Sequence, residues 1–424
     1  MTRHLWKLIW NRRKSNLFIL LEVFVSFLVI FVVIVTGVKY LDNYGKPLGF
    51  SYEDVWAVYV GTAESAKEFM DTKLDTAEVR KRMDRMLQRL EEMPEIAAAS
   101  ATILAPYKGW NWPDGYHNER ASFVHYYDQV SDRFPEMMGL QLVRGRWFGK
   151  EDDGASFDPV LINRQFAEMA FGDEDPIGKK LGKKEGPEDL STRIVGIFSD
   201  YRLRGELSDP APLVLYRSDL TTPHQKFIPT HGVKYVPQHI LIRIRPGTPA
   251  SFEQKLISTM ESQEKDWSFE VKPLETMRHE YLRDKMTPLI LFSIMAGFLL
   301  LMSGSGLLGV LWMSVTRRTQ EIGLRRAQGA TAAAIYRQFL AEVLLISLMG
   351  IGQGCIILLL IMPFLRVLAS SLPGLAILPS AGSGVVVSGI ALSALLVLGI
   401  ASLCALYPAH LATRIQPAEA LHYE

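Results

Sequence analysis

Residues 288–312 read PLILFSIMAGFLLLMSGSGLLGVLW, a stretch without a single charged side chain. A helix needs about 20 apolar residues to cross roughly 30 Å of hydrocarbon. Three further stretches meet that requirement, 17–38, 339–364 and 384–406, and their only charged residues are Glu22 and Glu342. The sequence therefore predicts an integral membrane protein with four transmembrane helices, one before and three after a long polar segment.

The first apolar stretch has two interpretations. A basic segment precedes it, and Val35-Thr36-Gly37 resembles a weak cleavage site, as in a secretory signal peptide. Its apolar core is about twice the length usual for a signal peptide, which is roughly 7–15 residues. We expect a retained membrane anchor.

Basic residues set the orientation of such a protein, because loops rich in Lys and Arg stay in the cytoplasm. Five precede the first span: Arg3, Lys7, Arg12, Arg13 and Lys14. Five more lie between the second and third spans: Arg317, Arg318, Arg325, Arg326 and Arg337. The loop 365–383 carries only Arg366. We expect segments 1–16, 313–338 and 407–424 in the cytoplasm, segment 39–287 outside, and the protein in the plasma (inner) membrane.

Composition excludes several classes of protein. The chain is 48% hydrophobic and 21% charged, with a formal net charge of +1. A nucleic-acid-binding protein would carry a basic excess, so we expect no nucleic-acid partner. The two cysteines, Cys355 and Cys404, both lie in apolar runs, which favours packing residues over a disulfide framework or a metal site.

The outer segment contains two β-α-β patterns separated by a long insertion. The expected elements are strands at Asp54–Val60, Ile96–Leu104, His239–Arg245 and Trp267–Val271, and helices at Thr76–Glu92 and Ser251–Glu264. His239–Arg245 alternates apolar and basic residues, which is typical of a half-buried strand. This order predicts a ferredoxin-like split unit, about 50–105 and 237–275, with a second subdomain inserted at about 106–236. The fold class is therefore an α+β membrane protein.

Glu22 and Glu342 are the two acids inside the predicted spans. A carboxylate in the bilayer is costly and is by default a functional candidate, for example in a proton relay. Both also lie near the cytoplasmic ends of their helices. The alternative is that each reaches interfacial water or a neighbouring arginine.

The cytoplasmic stretch 317–331, RRTQEIGLRRAQGAT, predicts a short helix at the membrane surface. Glu321 and Arg325 are spaced for an i,i+4 ion pair, and Arg325 and Arg326 suit the carboxyl end of a helix. Gly329 is placed for a left-handed cap, and Thr331 for the N-cap of the next helix. Two roles remain open: an interfacial anchor for the loop, or a rigid lever that docks a cytoplasmic partner.

This stretch resembles the coupling region of MacB/FtsX-type permeases, the transmembrane subunits of one class of ABC transporter. The similarity is carried by Arg318, Glu321, Ile322, Gly323, Arg325, Arg326, Gly329 and Ala330. The tail, Pro408-Ala409-His410 followed by Pro417-Ala418-Glu419-Ala420-Leu421, is similar to the C-terminal signature of that family. The outer segments Gly145-Arg146-Trp147-Phe148, Asn163 with Phe166, Pro176-Ile177-Gly178-Lys179 and Val195-Gly196 are similar to its periplasmic core domain.

The resemblance implies a permease that works as a dimer with two copies of a cytoplasmic ATPase. ATP-driven closure of the ATPases would be relayed through the coupling helix, about Arg317–Gly329, to an outer domain made of a porter subdomain and an inserted subdomain. It implies export or extraction of a hydrophobic or amphipathic substrate, in contact with membrane lipid. The expected coupling residues are those of the shared motif together with Arg317.

The sequence contains no recognisable motif for ATP binding or for catalysis. A phosphate-binding loop needs the pattern GxxxxGK[ST], and the nearest stretch, from Gly172 to Gly178-Lys179-Lys180, has the wrong spacing and ends in lysine. Neither HExxH nor GxSxG occurs, so we expect no catalytic residues, no metal and no cofactor, with ATP bound by the partner subunit. Two alternatives stay open: an FtsX-like protein that activates an outer-face hydrolase, and a membrane anchor without an ATPase.

Overall fold

The computed structural model describes residues 13–62, 76–108, 112–118, 120–155, 157–181, 192–218, 238–371 and 382–414. They form two compact units. The membrane unit holds the described residues up to Asp42 and from Lys285 onward, and the outer unit is Asn43–Asp284. The predicted C-terminal signature Pro417–Leu421, and Arg3, Lys7 and Arg12, lie outside the described residues.

Helices and strands follow one another along the chain in a regular order. The helices are α1 Arg13–Tyr44, α2 Thr76–Glu91, α3 Phe134–Met138, α4 Arg164–Phe171, α5 Phe252–Gln263, α6 Leu274–Arg317, α7 Thr319–Ala327, α8 Ala332–Ser371 and α9 Ser383–Thr413. The strands are β1 Val55–Thr62, β2 Ile96–Thr102, β3 Trp112–His117, β4 Ser122–Val130, β5 Leu142–Gly145, β6 Asp158–Asn163, β7 Thr192–Phe198, β8 Leu213–Arg217, β9 His239–Ile244 and β10 Trp267–Pro273.

Within the described residues, four helices are long and apolar enough to cross a membrane: α1, α6, α8 and α9. Each extends beyond the apolar run from which it was predicted. The largest difference is in α6, which begins at Leu274 although the apolar run begins at Pro288. Hydropathy locates only the residues that prefer lipid, whereas a helix can continue into polar sequence. Here α6 continues past Pro288, which has no N–H to donate and so leaves one backbone hydrogen bond of the helix unmade.

The membrane unit is held together by one apolar cluster. The side of α1 that carries Val23, Phe27 and Phe31 is buried, as are Val343 of α8 and Ala405 of α9. Glycines in α8 and α9 lie where side chains of α1 approach. Small residues permit such close helix contacts, and in lipid that packing is a main source of helix association.

Ten strands of the described chain form a sheet in the order β10-β1-β9-β2-β4-β8-β6-β7-β5, with β3 paired to β4. The first four, β10-β1-β9-β2, are antiparallel and are built from the two β-α-β patterns. Helices α2 and α5 cover one face, where Met83, Met86 and Leu256 are fully buried. This arrangement confirms the α+β fold class with a ferredoxin-like split unit.

The inserted subdomain continues the same sheet. Strand β2 meets β4 at a single residue pair, Thr102 with Val130. On the opposite face from α2 and α5, one cluster combines Ala57 and Leu241 of the split unit with Leu161 and Phe198 of the insertion. The two subdomains therefore share a core, although the insertion has a further cluster of its own around Phe166.

The expectation of a half-buried strand at 239–245 is wrong. Strand β9 lies between β1 and β2, and its burial includes His239, which is 5% exposed. The alternation of residue types arises for another reason. His239 Nδ1 hydrogen-bonds the carbonyl oxygen of Ile103 at 2.9 Å, and Arg243 Nε donates to the carbonyl oxygen of Met137 at 2.9 Å. Burial and the nearby Lys108 lower the pKa of His239 to about 3, so the imidazole is neutral.

Candidate functional site

The short helix α7 is separated from α6 by a single residue. Helix α6 ends at Arg317, Arg318 has non-helical dihedrals, and α7 runs from Thr319 to Ala327. The expected coupling helix, about Arg317–Gly329, is thus two residues longer at each end than the observed one. Arg317 belongs to α6, and Gly329 belongs to the following turn.

Arg318 is anchored to α8 inside the membrane unit. Its Nη1 donates to Glu342 Oε2 at 3.1 Å, and both side chains are 9% exposed. Paired in this way, each ion offsets part of the cost of burying the other. Of the alternatives considered for Glu342, contact with a neighbouring arginine is the one that the structure contains.

Arg325 and Arg326 fasten α7 to the two helices that follow it. Arg325 donates to Glu321 Oε1 at 2.6 Å, as the i,i+4 spacing predicts, and to Gln338 Oε1 of α8 at 2.7 Å. Arg326 Nη1 donates to the carbonyl oxygen of Thr413, the last residue of α9, at 2.7 Å. Both arginines are half-buried, so their guanidinium groups are directed into the protein.

The joint between α7 and α8 is short and hydrogen-bonded. Gly329 has φ +91°, the left-handed conformation predicted for it. The amides of Gly329 and Ala330 donate to the carbonyl oxygens of Arg326 and Arg325, each at 3.0 Å. Thr331 Oγ1 accepts from the amide of Ala334 at 3.3 Å, which is the predicted N-cap. Because this connection is short and hydrogen-bonded, we expect a displacement of α7 to move α8 as well.

Helix α7 has one buried side and one exposed side. Ile322 and Gly323 are buried, and Ile322 packs in the apolar cluster of the membrane unit. The exposed side carries Gln320, Leu324, Ala327 and Gln328 at helical spacing. Leu324 is 50% exposed, a large apolar side chain among polar neighbours. A partner bound to this side of α7 would bury Leu324 in the middle of the contact.

Comparison with known proteins identifies the region in which this helix lies. The profile of the FtsX-like permease C-terminal domain matches residues 293–417, which include the whole coupling region. The profile of the MacB-like periplasmic core domain matches residues 25–258, more than half of the chain. The chain belongs to the MacB/FtsX-type permease family. It is a multi-pass membrane protein of that family, as the sequence resemblance predicted.

Curated relatives of this permease are macrolide export ATP-binding/permease proteins named MacB. The protein from Vibrio parahaemolyticus is 28% identical over 222 residues, which is 52% of this chain and 32% of the relative. The protein from Neisseria gonorrhoeae is 26% identical over 228 residues, 53% of this chain and 34% of the relative. This chain thus spans about a third of the length of the curated relatives that it matches.

Solved structures of related outer domains also align with this permease. The periplasmic region of MacB from Actinobacillus actinomycetemcomitans aligns with a TM-score of 0.38 and 14% identity, covering 54% of this chain and 92% of that one. The extracellular domain of the ABC-type transporter YknZ from Gram-positive bacteria aligns with a TM-score of 0.32 and 10% identity, covering 50% and 99%.

The second intramembrane acid of the permease, Glu22, has different surroundings from Glu342. It lies in α1 against Gly306 of α6, where an added Cβ would be 2.8 Å from Glu22 Oε2. Among the described residues Oε2 has no hydrogen-bond partner, although the atom is buried. Glycine at 306 is what allows the carboxyl group to lie between the two helices. A proton-relay role for either acid stays a prediction.

The stretch that most nearly imitates a phosphate-binding loop is a structural turn. Lys179 pairs with Glu174, and its ammonium group lies 5.3 Å from the centre of the Phe171 ring. Gly172 and Gly178 have φ of +61° and +80°. In the described part of the chain, no group of three or more His, Cys, Asp or Glu side chains is arranged to hold a metal ion.

The sequence motif identified the arginines of the coupling region but not the groups that accept their hydrogen bonds. Gln338 and the carbonyl oxygen of Thr413, which receive the two arginines, carry no pattern that marks them as partners. Leu324 was not singled out either. A helical projection of 319–328 places Leu324 opposite Ile322 and is the signal by which it could have been found.

Proposed function

We propose that this chain is the permease subunit of an ABC transporter that relays the motion of a cytoplasmic ATPase to the outer domain. The relay exports, or extracts from the membrane, a hydrophobic or amphipathic substrate. ATP is bound by the ATPase, a separate partner subunit, and the chain itself needs no cofactor. Two permease copies act with two ATPases, surrounded by membrane lipid.

One observation carries this proposal. Helix α7 is held to α8 by Arg318 and Arg325 and to the end of α9 by Arg326, while its opposite side is exposed. A helix that is hydrogen-bonded to the membrane helices on one side and exposed on the other can bind a partner and transmit the displacement of that partner to the membrane helices. An anchor for a loop would need neither three separate attachments nor an exposed leucine.

The orientation belongs to the same proposal. The positive charge around α7 favours the cytoplasm, which is where ATP is available. Both termini are then cytoplasmic, and the outer unit is outside the cell membrane.

The docking side of α7 can be tested separately from its attachments. Leu324→Glu places a charge at the centre of the exposed side without touching the arginine contacts. We expect co-purification of the ATPase to fall about tenfold or more, because burying an unpaired carboxylate in the contact costs on the order of 1–3 kcal/mol or more. Met169→Glu is the matched control, because Met169 is also an exposed apolar residue but lies in the outer unit.

Unchanged ATPase association and hydrolysis in Leu324→Glu would contradict the docking assignment. Charge reversal at Arg325 and Arg326 is expected to weaken association too, but through release of α7 from α8 and α9. Circular dichroism and thermal unfolding separate the two cases, because only the arginine variants should lower the stability of the permease.

A further inference from the structure

The loop Tyr201–Asp209, between β7 and β8 of the inserted subdomain, buries two charged side chains. Arg202 is 2% exposed and Glu206 is 6% exposed. We call this segment the clasp loop. Buried charges are costly unless they are paired or fully hydrogen-bonded, so their partners show what the loop is built to hold.

Arg202 binds the end of α1 and the chain just beyond it. Its Nη1 donates to the carbonyl oxygen of Asn43 at 2.7 Å, its Nη2 to that of Lys46 at 2.6 Å, and its Nε to that of Pro47 at 3.1 Å. Within the loop, Nη1 also donates to the carbonyl oxygen of Glu206 at 2.8 Å. Burial lowers the pKa of Arg202 from its usual value, yet a guanidinium group stays charged at any physiological pH.

Asn43 completes the same attachment from the other direction. It is fully buried, and its Nδ2 donates to the carbonyl oxygen of Leu207 at 3.2 Å and to Asp209 Oδ1 at 3.0 Å. The segment Asn43–Pro47 and the clasp loop are therefore joined in both directions, because Arg202 of the loop donates to the segment and Asn43 of the segment donates to the loop.

Glu206 binds the beginning of α6. Its Oε1 accepts from Arg278 Nε and from the hydroxyl of Tyr107 at 3.4 Å. Tyr107 also packs against Tyr281 of α6, with ring centres 5.8 Å apart. Between these rings lies Gly205 with φ +97°, where a Cβ would be 2.8 Å from Tyr281 and 2.9 Å from Tyr107. Only glycine allows the loop to fit there.

The clasp loop thus holds both chain segments that connect the outer unit to its first two membrane helices. We propose that Arg202 and Glu206 are positioning residues that couple the last residues of α1 and the first turns of α6, both within the outer unit, to the inserted subdomain. Displacement of Asn43–Pro47 or of Arg278 is passed to the clasp loop, and from there to β7 and β8, which frame the loop. This inference rests on the proposed function, because it supplies the outer end of the relay.

Hydrogen exchange of the whole complex tests the inference. The full-length permease with its ATPase, in lipid nanodiscs, is compared without nucleotide and with ATP plus vanadate. In the wild type we expect a nucleotide-dependent change of exchange at both α7 and the clasp loop. In Arg202→Gln and Glu206→Gln the change at the clasp loop is lost while the change at α7 is kept. Basal exchange rises about tenfold at 43–48 in Arg202→Gln and at the beginning of α6 in Glu206→Gln, because in each variant a buried charged hydrogen bond to that segment has been weakened or removed.

Arg204→Gln is the matched control. Arg204 lies in the same loop and carries the same charge, but it packs over the Tyr126 ring of the inserted subdomain. It should keep both nucleotide responses. Glu206→Gln preserves size and one acceptor oxygen, so it tests the inference even where Arg202→Gln fails to fold.

The outcomes distinguish the two proposals. A wild-type complex that hydrolyses ATP without any change at the clasp loop overturns the proposed relay and the inference with it. A wild type that responds, together with variants that respond equally at the clasp loop, overturns the inference alone. Loss of the response in both variants and its retention in Arg204→Gln supports it, because a merely stabilising contact would not respond to nucleotide.

Discussion

Asp128 in β4 is a fully buried carboxyl group at the point where the two halves of the sheet meet. Its Oδ1 accepts from the amides of Ile103, Leu104 and Gln129, and its Oδ2 lies 2.7 Å from Thr102 Oγ1. Burial raises the pKa of Asp128 to about 7, against the opposing effect of these donors. A proton on Oδ2 would be donated to the Thr102 hydroxyl, which is then free to donate to the carbonyl oxygen of Leu104 at 3.1 Å.

This carboxyl group predicts a pH dependence of stability. The pKa is about 7 in the folded protein and near 3.8 in the unfolded chain, so the folded state holds the proton more tightly. The stabilisation is complete below about pH 4, is lost as the pH rises to about 7, and does not change further above that.

Asp128→Asn should remove that dependence. The amide nitrogen can donate to Thr102 in place of the carboxyl proton, and the amide oxygen still accepts from the three amides. Relative to the wild type, the variant should gain on the order of a few kcal/mol between pH 4.5 and pH 8. Thermal unfolding of both proteins at the two pH values measures this. An equal difference between variant and wild type at both values would show that Asp128 is ionised throughout.

The ion pair of Arg318 and Glu342 predicts an asymmetry between single and double substitutions. Arg318→Met leaves a buried carboxylate without its partner and should cost about 3 kcal/mol or more of folding free energy. Arg318→Met with Glu342→Met removes both charges and should restore much of the loss. Denaturation of the purified permease gives the values, with the exposed Arg283→Met as control. Additive costs in the double variant would contradict a direct coupling.

At the scale of helices, α8 presents two kinds of glycine. Gly350 and Gly354 lie against α1, where Cβ atoms would overlap Val23 and the Phe27 ring. Gly352 lies on another side of the same helix, with nothing within 4 Å of an added Cβ. The spacing of the first two, four residues apart, places them on one face.

Valine substitutions distinguish these faces. Gly354→Val should destabilise the membrane unit by about 1–3 kcal/mol, because α1 and α8 must separate to admit the side chain. Gly352→Val makes the same change in the same helix and should have little effect. The yield of folded, monodisperse protein and its thermal unfolding midpoint measure both. Equal losses in the two variants would show that helix propensity, and not the contact with α1, is responsible.

The orientation of the whole protein in the membrane can be tested by cysteine labelling. A cysteine at Asp114, in β3 of the outer unit, should react with a membrane-impermeant thiol reagent in intact cells. A cysteine at Gln328, beside α7, should react only after the membrane is opened. The native Cys355 and Cys404 are replaced by alanine in both. The opposite pattern would place α7 outside and remove the basis for ATPase docking.

The split unit and the insertion are joined within one sheet mainly by side-chain packing. The split unit and the insertion are far apart in sequence, but they share the cluster that contains Leu241 and Phe198. Because a single residue pair joins β2 to β4, that shared core, rather than strand pairing, keeps the two parts together. Motion passed to the insertion would therefore be felt by the split unit as well.

The sequence by itself determined the features that depend on local pattern. Four apolar stretches marked the membrane helices, two β-α-β patterns marked the ferredoxin-like unit, and Glu321, Gly329 and Thr331 marked the ends and internal pairing of the coupling region. Hydropathy and helical periodicity are properties of neighbouring residues, so they can be read without the fold. The family resemblance extended that reading to a permease.

Only the tertiary structure decided which side chains face each other across long separations in the chain. It turned Arg325 and Arg326 toward α8 and α9, buried His239 in a central strand, and brought Arg202 to the end of α1 and the chain that follows it. None of these contacts joins near neighbours in sequence. Each removes a charged or polar side chain at least partly from water, which is unfavourable unless the side chain is hydrogen-bonded. Charged and polar side chains are expected to be exposed because exposure is their usual state, and hydrogen bonds to buried partners are what offset the cost of burying them.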